Sequence, residues 1–463
     1  MFRSLRRGPA FYRHLWHLSL PIAAQNLITF SLGLIDTFMV SQLGNAEMAA
    51  VTAANVPVFI MTSMVFGVQS GLGILVSQYW GKRDHDNISR AIGVAALIGA
   101  GIMLALAVFF FCFPVAVMDL LSNRHELSLL GAPYLKWIGW AFLFNMLSSV
   151  YVSAQRSVEN PHFGMKLFGF STALNTIFNY ILIFGKLGCP ALGVEGAALA
   201  TLLARIAELV ICVISAKRDR RIHLDLRCFL RPGGEMVRRF LRYSSPVVLN
   251  ETMWGMGTSL MTVILGFTHN SVEMLAANAI MGNLGRLFLV LCFGLGAASA
   301  VIVGKAIGEG QSHEAVQSLG QGLLLFSLIV GTVLGAVSMI LLPILFEPYI
   351  FPLFQLYGES ARIATALAVA NFVTIPLRAY TISSVTGVLR AGGDVGWSMF
   401  LDIGPQWLVC LPFTAAVALV WPCNAWVIAF ATMSENFIKV PLCMARVATG
   451  KWIHDVTVSK EEL

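Results

Sequence analysis

Long apolar stretches separated by short polar segments dominate this chain and restrict the folds open to it. A helix needs about 20 mostly apolar residues to cross a bilayer. Applied along the sequence, this criterion predicts spans at residues 15–41, 50–78, 91–119, 131–155, 163–185, 192–215, 240–266, 274–303, 318–345, 362–389, 396–420 and 425–448. We therefore expect an all-α membrane protein with about twelve transmembrane helices in a lipid bilayer.

The composition excludes an ordinary soluble domain. Charged residues make up 12% of the chain and hydrophobic residues 57%, whereas soluble globular proteins have roughly 25% charged residues. None of the eight cysteines forms a C-x-x-C pair, so we read them as small packing residues rather than disulfides or metal ligands.

Basic residues are concentrated in short segments between the predicted spans, most densely at 216–243. Placing both termini in the cytoplasm assigns most of the 31 Lys and Arg residues, including Arg390 and Lys439, to that side. This asymmetry is typical of cytoplasmic loops. The alternative is a nucleic-acid or lipid-binding patch, but a membrane chain needs such segments for its orientation. We therefore expect a multi-pass protein of the cell inner (plasma) membrane, with cytoplasmic termini and no nucleic-acid partner.

The second half of the sequence repeats features of the first half. Residues 225 to 227 positions apart match in type, in the pairs Pro21 and Pro246, Glu47 and Glu273, Gly67 and Gly294, and Gly81 and Gly308. Six spans per half make the repeat parallel, with a cleft expected between the lobes. The predicted organisation is an N-terminal lobe at 1–215, a basic cytoplasmic connector at 216–239 and a C-terminal lobe at 240–463.

A first set of polar residues lies within predicted spans of the first half. Asp36 stands among apolar residues, and a carboxylate there can be neutralised by a proton or by a small cation. Asn175 and Asn179 are four residues apart and share a helix face, and Thr201 lies in the next span. Their oxygens can complete a cation site, with Asp36, Asn175 and Asn179 as the ligands if the ion is Na⁺. Interfacial placement of Asp36 and simple interhelical hydrogen bonds are the alternatives.

A second set lies in the second half. Glu251 precedes Trp254 by nearly one turn, and a carboxylate beside an aromatic face suits an organic cation, although an Asn250–Glu251 packing contact explains the same pattern. Asp402 lies three residues before Pro405, which should disturb its helix, and Arg378 is a possible ion-pair partner for Asp402. Arg205 and Glu208, three residues apart, can neutralise each other.

Motifs of the common energy-converting and hydrolytic sites do not occur. The sequence has no G-x-x-x-x-G-K-[ST], H-E-x-x-H or G-x-S-x-G. We therefore expect no enzymatic activity and no cofactor, and we expect an ion gradient to supply the energy.

Several segments resemble the multidrug and toxic compound extrusion (MATE) transporters. They are the Pro21-to-Asp36 spacing, AEMAAV, LNTIFNYILIFG followed by ALGVEGAALAT, PVVLNETMWGMG and GVLRAGGD. The resemblance implies a two-lobed, V-shaped fold and export of organic, often cationic, compounds against Na⁺ or H⁺ influx. It assigns Asp36, Asn175, Asn179 and Thr201 to a cation site, and Glu251 to the C-terminal lobe.

The chain departs from the family pattern in its tenth span. Some members carry an acidic residue where this sequence has Ala379 beside Arg378, which leaves Asp402 as a possible substitute. The Asn-Glu-x-x-Trp sequence also places Glu251 about one turn from the position of the acid in other branches.

The resulting hypothesis is a cation-coupled antiporter that works by alternating access. We expect Glu251, Trp254 and Asp402 to contact a small organic substrate, and the protein to be a monomer. A flippase for a lipid-linked saccharide would need many basic residues in its spans, and the spans offer chiefly Arg205, Arg286 and Arg378. A channel is the third alternative, and buried acids within a two-fold repeat fit a carrier better.

Overall fold

The structure is a computed structural model that describes residues 7–121, 125–219, 221–222, 226–231, 233–268, 270–420 and 424–458. Parts of the predicted basic connector and the arginines at positions 3 and 6 lie outside these residues. The described chain is almost entirely helical.

Twelve long helices run through the described residues. They are α1 (Pro9–Ser41), α2 (Asn45–Lys82), α3 (His85–Cys112), α4 (His125–Ser157), α5 (Pro161–Phe184), α6 (Gly193–Arg218), α7 (Gly234–Leu265), α8 (Ser271–Gly308), α9 (His313–Leu353), α10 (Glu359–Leu389), α11 (Val395–Leu419) and α12 (Ala425–Ala448). Eleven of these are long and apolar enough to cross a membrane. The twelfth, α7, has a more polar centre because Asn250 and Glu251 interrupt its apolar sequence.

The predicted fold class is confirmed: the chain is an all-α membrane protein built from two related sets of six helices. The repeat is visible in the helix bounds, since α2 and α8 are both 38 residues long and each starts shortly after the first helix of its half. One predicted span was too long at its end. The third helix stops at Cys112, and a short helix, Pro114–Leu121, follows it, because proline cannot supply the backbone N–H that continues a helix.

Helix ends and distortions follow from local sequence. Asp84 caps α3 by accepting a hydrogen bond from the Asn87 backbone, which satisfies one of the free N–H groups of the first turn. Pro405 distorts α11 as expected. Directly after this proline, at Gln406–Cys410, the helix widens into a π-helix. A second π-helix, Ser383–Leu389, ends α10. Such wide turns often occur near functional sites.

The chain divides into two compact units. The N-terminal unit is Ala24–Val248, and the C-terminal unit is Leu249–Leu463 together with Met1–Ala23. The division therefore falls inside α1, just after Pro21, and inside α7, just after Pro246. Each unit contains the beginning of one of these helices and the end of the other.

Close backbone packing holds these helix segments within their units. In the N-terminal unit, a Cβ at Gly67 would lie 2.8 Å from the Val248 Cα, and a Cβ at Gly71 would lie 2.7 Å from the Ser244 Cα. In the C-terminal unit, a Cβ at Gly294 would lie 2.6 Å from the carbonyl oxygen of Ser19. Only glycine allows helices to approach this closely.

Candidate functional site: two polar clusters in the helix bundle

The first cluster lies in the N-terminal unit and joins α1, α5 and α6. The Asn179 side-chain amide donates to Asp36 Oδ1 at 2.6 Å and to Asn175 Oδ1 at 2.9 Å. The Asn175 amide in turn donates to Thr201 Oγ1 at 3.2 Å. The structure thus brings together all four residues that the sequence singled out in the first half. The four-residue spacing on α5 explains why the two asparagine side chains contact each other.

The two asparagines are fully buried, whereas Asp36 and Thr201 remain partly exposed. The oxygen Asn179 Oδ1 is buried and has no hydrogen-bond partner among the described residues. A buried acceptor without a partner is energetically costly. It belongs to the side chain that contacts Asp36, so a cation or a proton-bearing group at this carboxylate would give it a partner.

The charges around Asp36 leave its carboxylate without a contacting cation. None of the ion pairs between described residues includes Asp36. Arg205 interacts with Asp36 electrostatically at longer range, but its guanidinium contacts Glu208 at 2.6 Å. The hydroxyl of Tyr134, on α4, is also within electrostatic reach of Asp36.

The oxygen-rich chemistry of this cluster fits a small hard cation. Carboxylate and amide oxygens are the ligands that hard cations take in proteins. Asp36 supplies the negative charge, and Asn179, Asn175 and Thr201, which are linked to it by successive hydrogen bonds, supply neutral oxygens. The same carboxylate can accept a proton instead, and the cluster does not choose between Na⁺ and H⁺.

Arg205 and Glu208 form a separate buried network, as the sequence indicated. Glu208 is fully buried and accepts hydrogen bonds from Ser148 of α4 at 2.7 Å and from Ser171 of α5 at 2.9 Å. The network therefore ties α4, α5 and α6 together around one compensated charge. Buried ion pairs of this kind require all their polar partners.

The second cluster lies in the C-terminal unit and contains four charged side chains linked by Asn250. Glu251 contacts Arg390 at 3.1 Å. Asp402 accepts from Asn250 at 2.9 Å and from Lys439 at 3.1 Å. The Asn250 amide also lies 3.4 Å from Glu251 Oε1, so the expected Asn250–Glu251 contact is present. Glu251 and Asp402 therefore belong to one network, and each already has a basic partner.

Arg390 and Lys439, which were counted on the cytoplasmic side from the sequence, lie within helices, and their side chains are buried, with 2% and 4% exposure. One expected ion pair was wrong. Arg378 does not pair with Asp402 in the structure; it donates to Asn371 at 3.2 Å. Lys439 takes that place because α12 brings it to the same point from a different part of the chain.

Trp254 lies on α7, three residues after Glu251, and is half-buried. Its backbone carbonyl accepts from the Gln406 side chain at 3.4 Å. No basic side chain among the described residues stacks on its ring.

Sequence reasoning missed Tyr134, Lys439 and Glu435. The only sequence signal that could have pointed to Tyr134 was its hydroxyl group within an apolar predicted span. Glu435 and Lys439 are four residues apart on α12, which is the spacing of a helical ion pair, and they lie 3.3 Å apart in the structure. That spacing within a hydrophobic span was the available signal.

Comparison with known proteins agrees with this architecture. The sequence profile of the MatE family matches residues 21–181 and 246–415, one segment in each half. The chain belongs to the MatE family. The resemblance to MATE transporters drawn from the motifs is thereby confirmed.

Individual relatives are distant but match over most of their length. The "Probable multidrug resistance protein YoeA" of Bacillus subtilis is 25% identical over 412 residues, covering 87% of this chain and 86% of the relative. The "Probable multidrug resistance protein NorM" of Pasteurella multocida is 23% identical over 415 residues, covering 87% and 85%.

A solved structure of a MATE family transporter of the MOP superfamily, in an outward-facing conformation, superimposes with a TM-score of 0.85 at 18% identity. It covers 97% of this chain and 98% of that structure. This likeness establishes that the two proteins share the MATE fold.

Proposed function

We propose that this MATE protein is an antiporter that exports organic, often cationic, drugs or metabolites in exchange for Na⁺ or H⁺. The observation that carries the proposal is Asp36. Its carboxylate lies within a membrane helix, contacts Asn179 at 2.6 Å, and has no basic side chain in contact. A membrane-embedded acid of this kind is costly, and such residues line ion pathways.

Coupling follows from the neutralisation of Asp36. Binding of a proton or Na⁺ removes the uncompensated charge and gives the buried Asn179 Oδ1 a partner. The bound ion thereby favours one conformation, and the substrate favours the other, so that each weakens the binding of the other. One elementary charge crossing 100 mV provides about 2.3 kcal/mol, which sustains a concentration ratio of roughly 40-fold for an uncharged substrate.

The names of the relatives support the substrate class, since YoeA and NorM are both described as probable multidrug resistance proteins. Trp254, Glu251 and Asp402, all partly exposed, are the proposed substrate contacts. The proposal includes a plasma-membrane location, cytoplasmic termini, a monomeric state and a transport role without enzymatic chemistry. It also keeps the lobes at 1–215 and 240–463, joined by the connector at 216–239.

A lipid-linked saccharide flippase is the weaker alternative. Pyrophosphate recognition requires basic groups that are free to bind it. Arg205, Arg390 and Lys439 are each in contact with a carboxylate, so their charges are already compensated. A channel would pass ions without stoichiometric exchange.

The test is Asp36→Asn, which keeps the shape of the side chain and removes its charge. Ethidium efflux from cells should fall to the level of cells without the transporter. Asp86→Asn, the same change at an exposed residue in the first turn of α3, should leave efflux unchanged. Normal efflux by Asp36→Asn at wild-type expression would exclude Asp36 from the coupling.

Proteoliposomes with an imposed Na⁺ or H⁺ gradient then identify the ion, and ion current without exchange would show a channel.

A further inference from the structure

Lys439 is a buried basic side chain of the C-terminal cluster that contacts two carboxylates. It lies in the middle of α12 with 4% exposure, and its ammonium contacts Asp402 at 3.1 Å and Glu435 at 3.3 Å. An ammonium between two carboxylates has the charge and the oxygen contacts of a bound monovalent cation. A covalent tether, however, keeps it in the protein.

The remaining acids of this cluster are also compensated from within the unit. Glu251 contacts the guanidinium of Arg390, and Arg378 interacts electrostatically with Glu435. All three carboxylates, Glu251, Asp402 and Glu435, therefore contact a basic side chain, either Arg390 or Lys439. Unlike the Asp36 site, this cluster has no carboxylate that is held by neutral groups alone.

The Asp36 cluster of the N-terminal unit differs in this respect. Both clusters contain a carboxylate bound by a buried asparagine amide, through Asn179 in one and Asn250 in the other. In both, the asparagine Oδ1 is buried without a hydrogen-bond partner among the described residues. Only the carboxylate at Asn250 has a lysine in contact. The two units therefore hold related sites, of which one carries its own cation.

We propose that Lys439 is a tethered cation that takes the place of a second coupling ion, so that each transport cycle moves a single ion, at Asp36. This inference rests on the proposed antiport function. A lysine that stays with the protein neutralises Asp402 and Glu435 in every state and carries no ion from one side to the other. Removing Lys439 would leave the Asp402 carboxylate next to Asn250 Oδ1. Both supply oxygen atoms of the kind that a small cation needs as ligands.

The experiment counts ions per substrate. Purified protein in proteoliposomes holds a fixed ethidium gradient at zero membrane potential, and the gradient of the driving ion at which net ethidium flux stops yields the stoichiometry. The wild type should move one ion per ethidium. Lys439→Gln should raise the count to two, and Lys439→Arg, which keeps the charge, should leave it at one. The double variant Lys439→Gln with Asp402→Asn should return it to one, because the carboxylate bound by the Asn250 amide, around which the new site would form, is gone and Glu435 remains without that asparagine.

Several outcomes would overturn the inference. A wild-type count of two would do so without any variant, and this measurement remains valid if Lys439→Gln does not fold. A folded Lys439→Gln protein with a count of one would also do so, as would a count of two for Lys439→Arg. Asp36→Asn separates the two proposals. If this variant keeps full coupling, the proposed function fails. If it loses coupling while the wild type moves two ions per ethidium, only the role of Lys439 is rejected.

Discussion

At the scale of single residues, the two clusters show how the partner of a carboxylate decides whether that carboxylate can still bind a cation. Asp36 and Asp402 each accept a hydrogen bond from an asparagine amide. Asp402 also contacts Lys439, whose side chain is buried. A carboxylate with a buried ammonium in contact is already compensated, whereas a carboxylate bound only by an amide can still gain a cation.

Thr201 provides a test of the neutral part of the Asp36 cluster. Its hydroxyl accepts from the Asn175 amide at 3.2 Å, so Thr201→Val should leave that amide without its partner. We expect a loss of about 1 kcal/mol, seen as a roughly fivefold weaker apparent affinity for the coupling ion in efflux assays. Thr176→Val is the matched control, because the Thr176 hydroxyl donates only to the Thr172 carbonyl of its own helix. Equal effects of both changes would show that Asn175 does not orient the site through Thr201.

At the scale of helices, close glycine contacts fix the segments that begin α1 and α7. Gly67 and Gly294 occupy matching positions of the two halves, on α2 and α8. Gly67 packs against Val248 of α7, and Gly294 packs against Ser19 of α1. Both partners lie next to the division between units, in helices that contain a proline. Matching glycines that were noticed as a repeat in the sequence therefore share a packing role, which is the approach of two helix backbones.

Alanine substitution tests this packing. Gly294→Ala would place a methyl group 2.6 Å from a backbone oxygen, so the helices must separate, and we expect a loss of stability of about 1–3 kcal/mol. Gly282→Ala on the same helix has nothing within 4 Å and should be neutral or slightly stabilising. Gly67→Ala and Gly73→Ala form the corresponding pair on α2. Thermal denaturation in detergent measures all four, and an unchanged midpoint for Gly294→Ala would contradict the close contact.

At the scale of the whole molecule, the count of spans determines the topology. Within the described parts of the chain, eleven helices meet the length and hydropathy requirements for crossing a membrane. The polar centre of α7 separates it from the others, although it is 32 residues long. With α7 included the count is even, and both termini lie on the same side of the membrane. Without it, they lie on opposite sides.

Reporter fusions distinguish these two topologies. Green fluorescent protein fused to either terminus should fluoresce, because both termini are expected in the cytoplasm. Alkaline phosphatase fused after Lys186, in the loop between α5 and α6, should be active because that loop is expected on the opposite side. An active phosphatase at the C-terminus with a fluorescent N-terminus would show that α7 does not cross the membrane.

Much of the fold and one of the two clusters were predictable from local sequence. The length of apolar stretches predicted the helices to within a few residues in most cases, because a bilayer imposes that length on each span separately. Asn175 and Asn179 were recognisable as a pair because four residues make one helical turn. Asp36 was conspicuous because a charged residue within a span is expensive.

The pairings of the second cluster depended on contacts between residues far apart in the sequence. Arg390 contacts Glu251 across 139 positions, and Lys439 contacts Asp402 across 37. Arg390 directly follows the predicted span 362–389 and looked like a loop residue, whereas Lys439 lies inside the predicted span 425–448, where its sequence position did not show which acid it contacts. Arg378 was the more obvious partner for Asp402, and only helix packing showed that it contacts Asn371 instead.

The sequence by itself determined that this protein is a helical membrane protein with an internal repeat, a MATE-like motif set and an acid at position 36. These properties depend on apolar length, periodicity and residue type, which are local. Only the tertiary structure decided which acids have a basic partner, because compensation of charge depends on distances that helix packing sets. That difference separates the Asp36 carboxylate, which can still gain an ion, from Asp402, which Lys439 already neutralises.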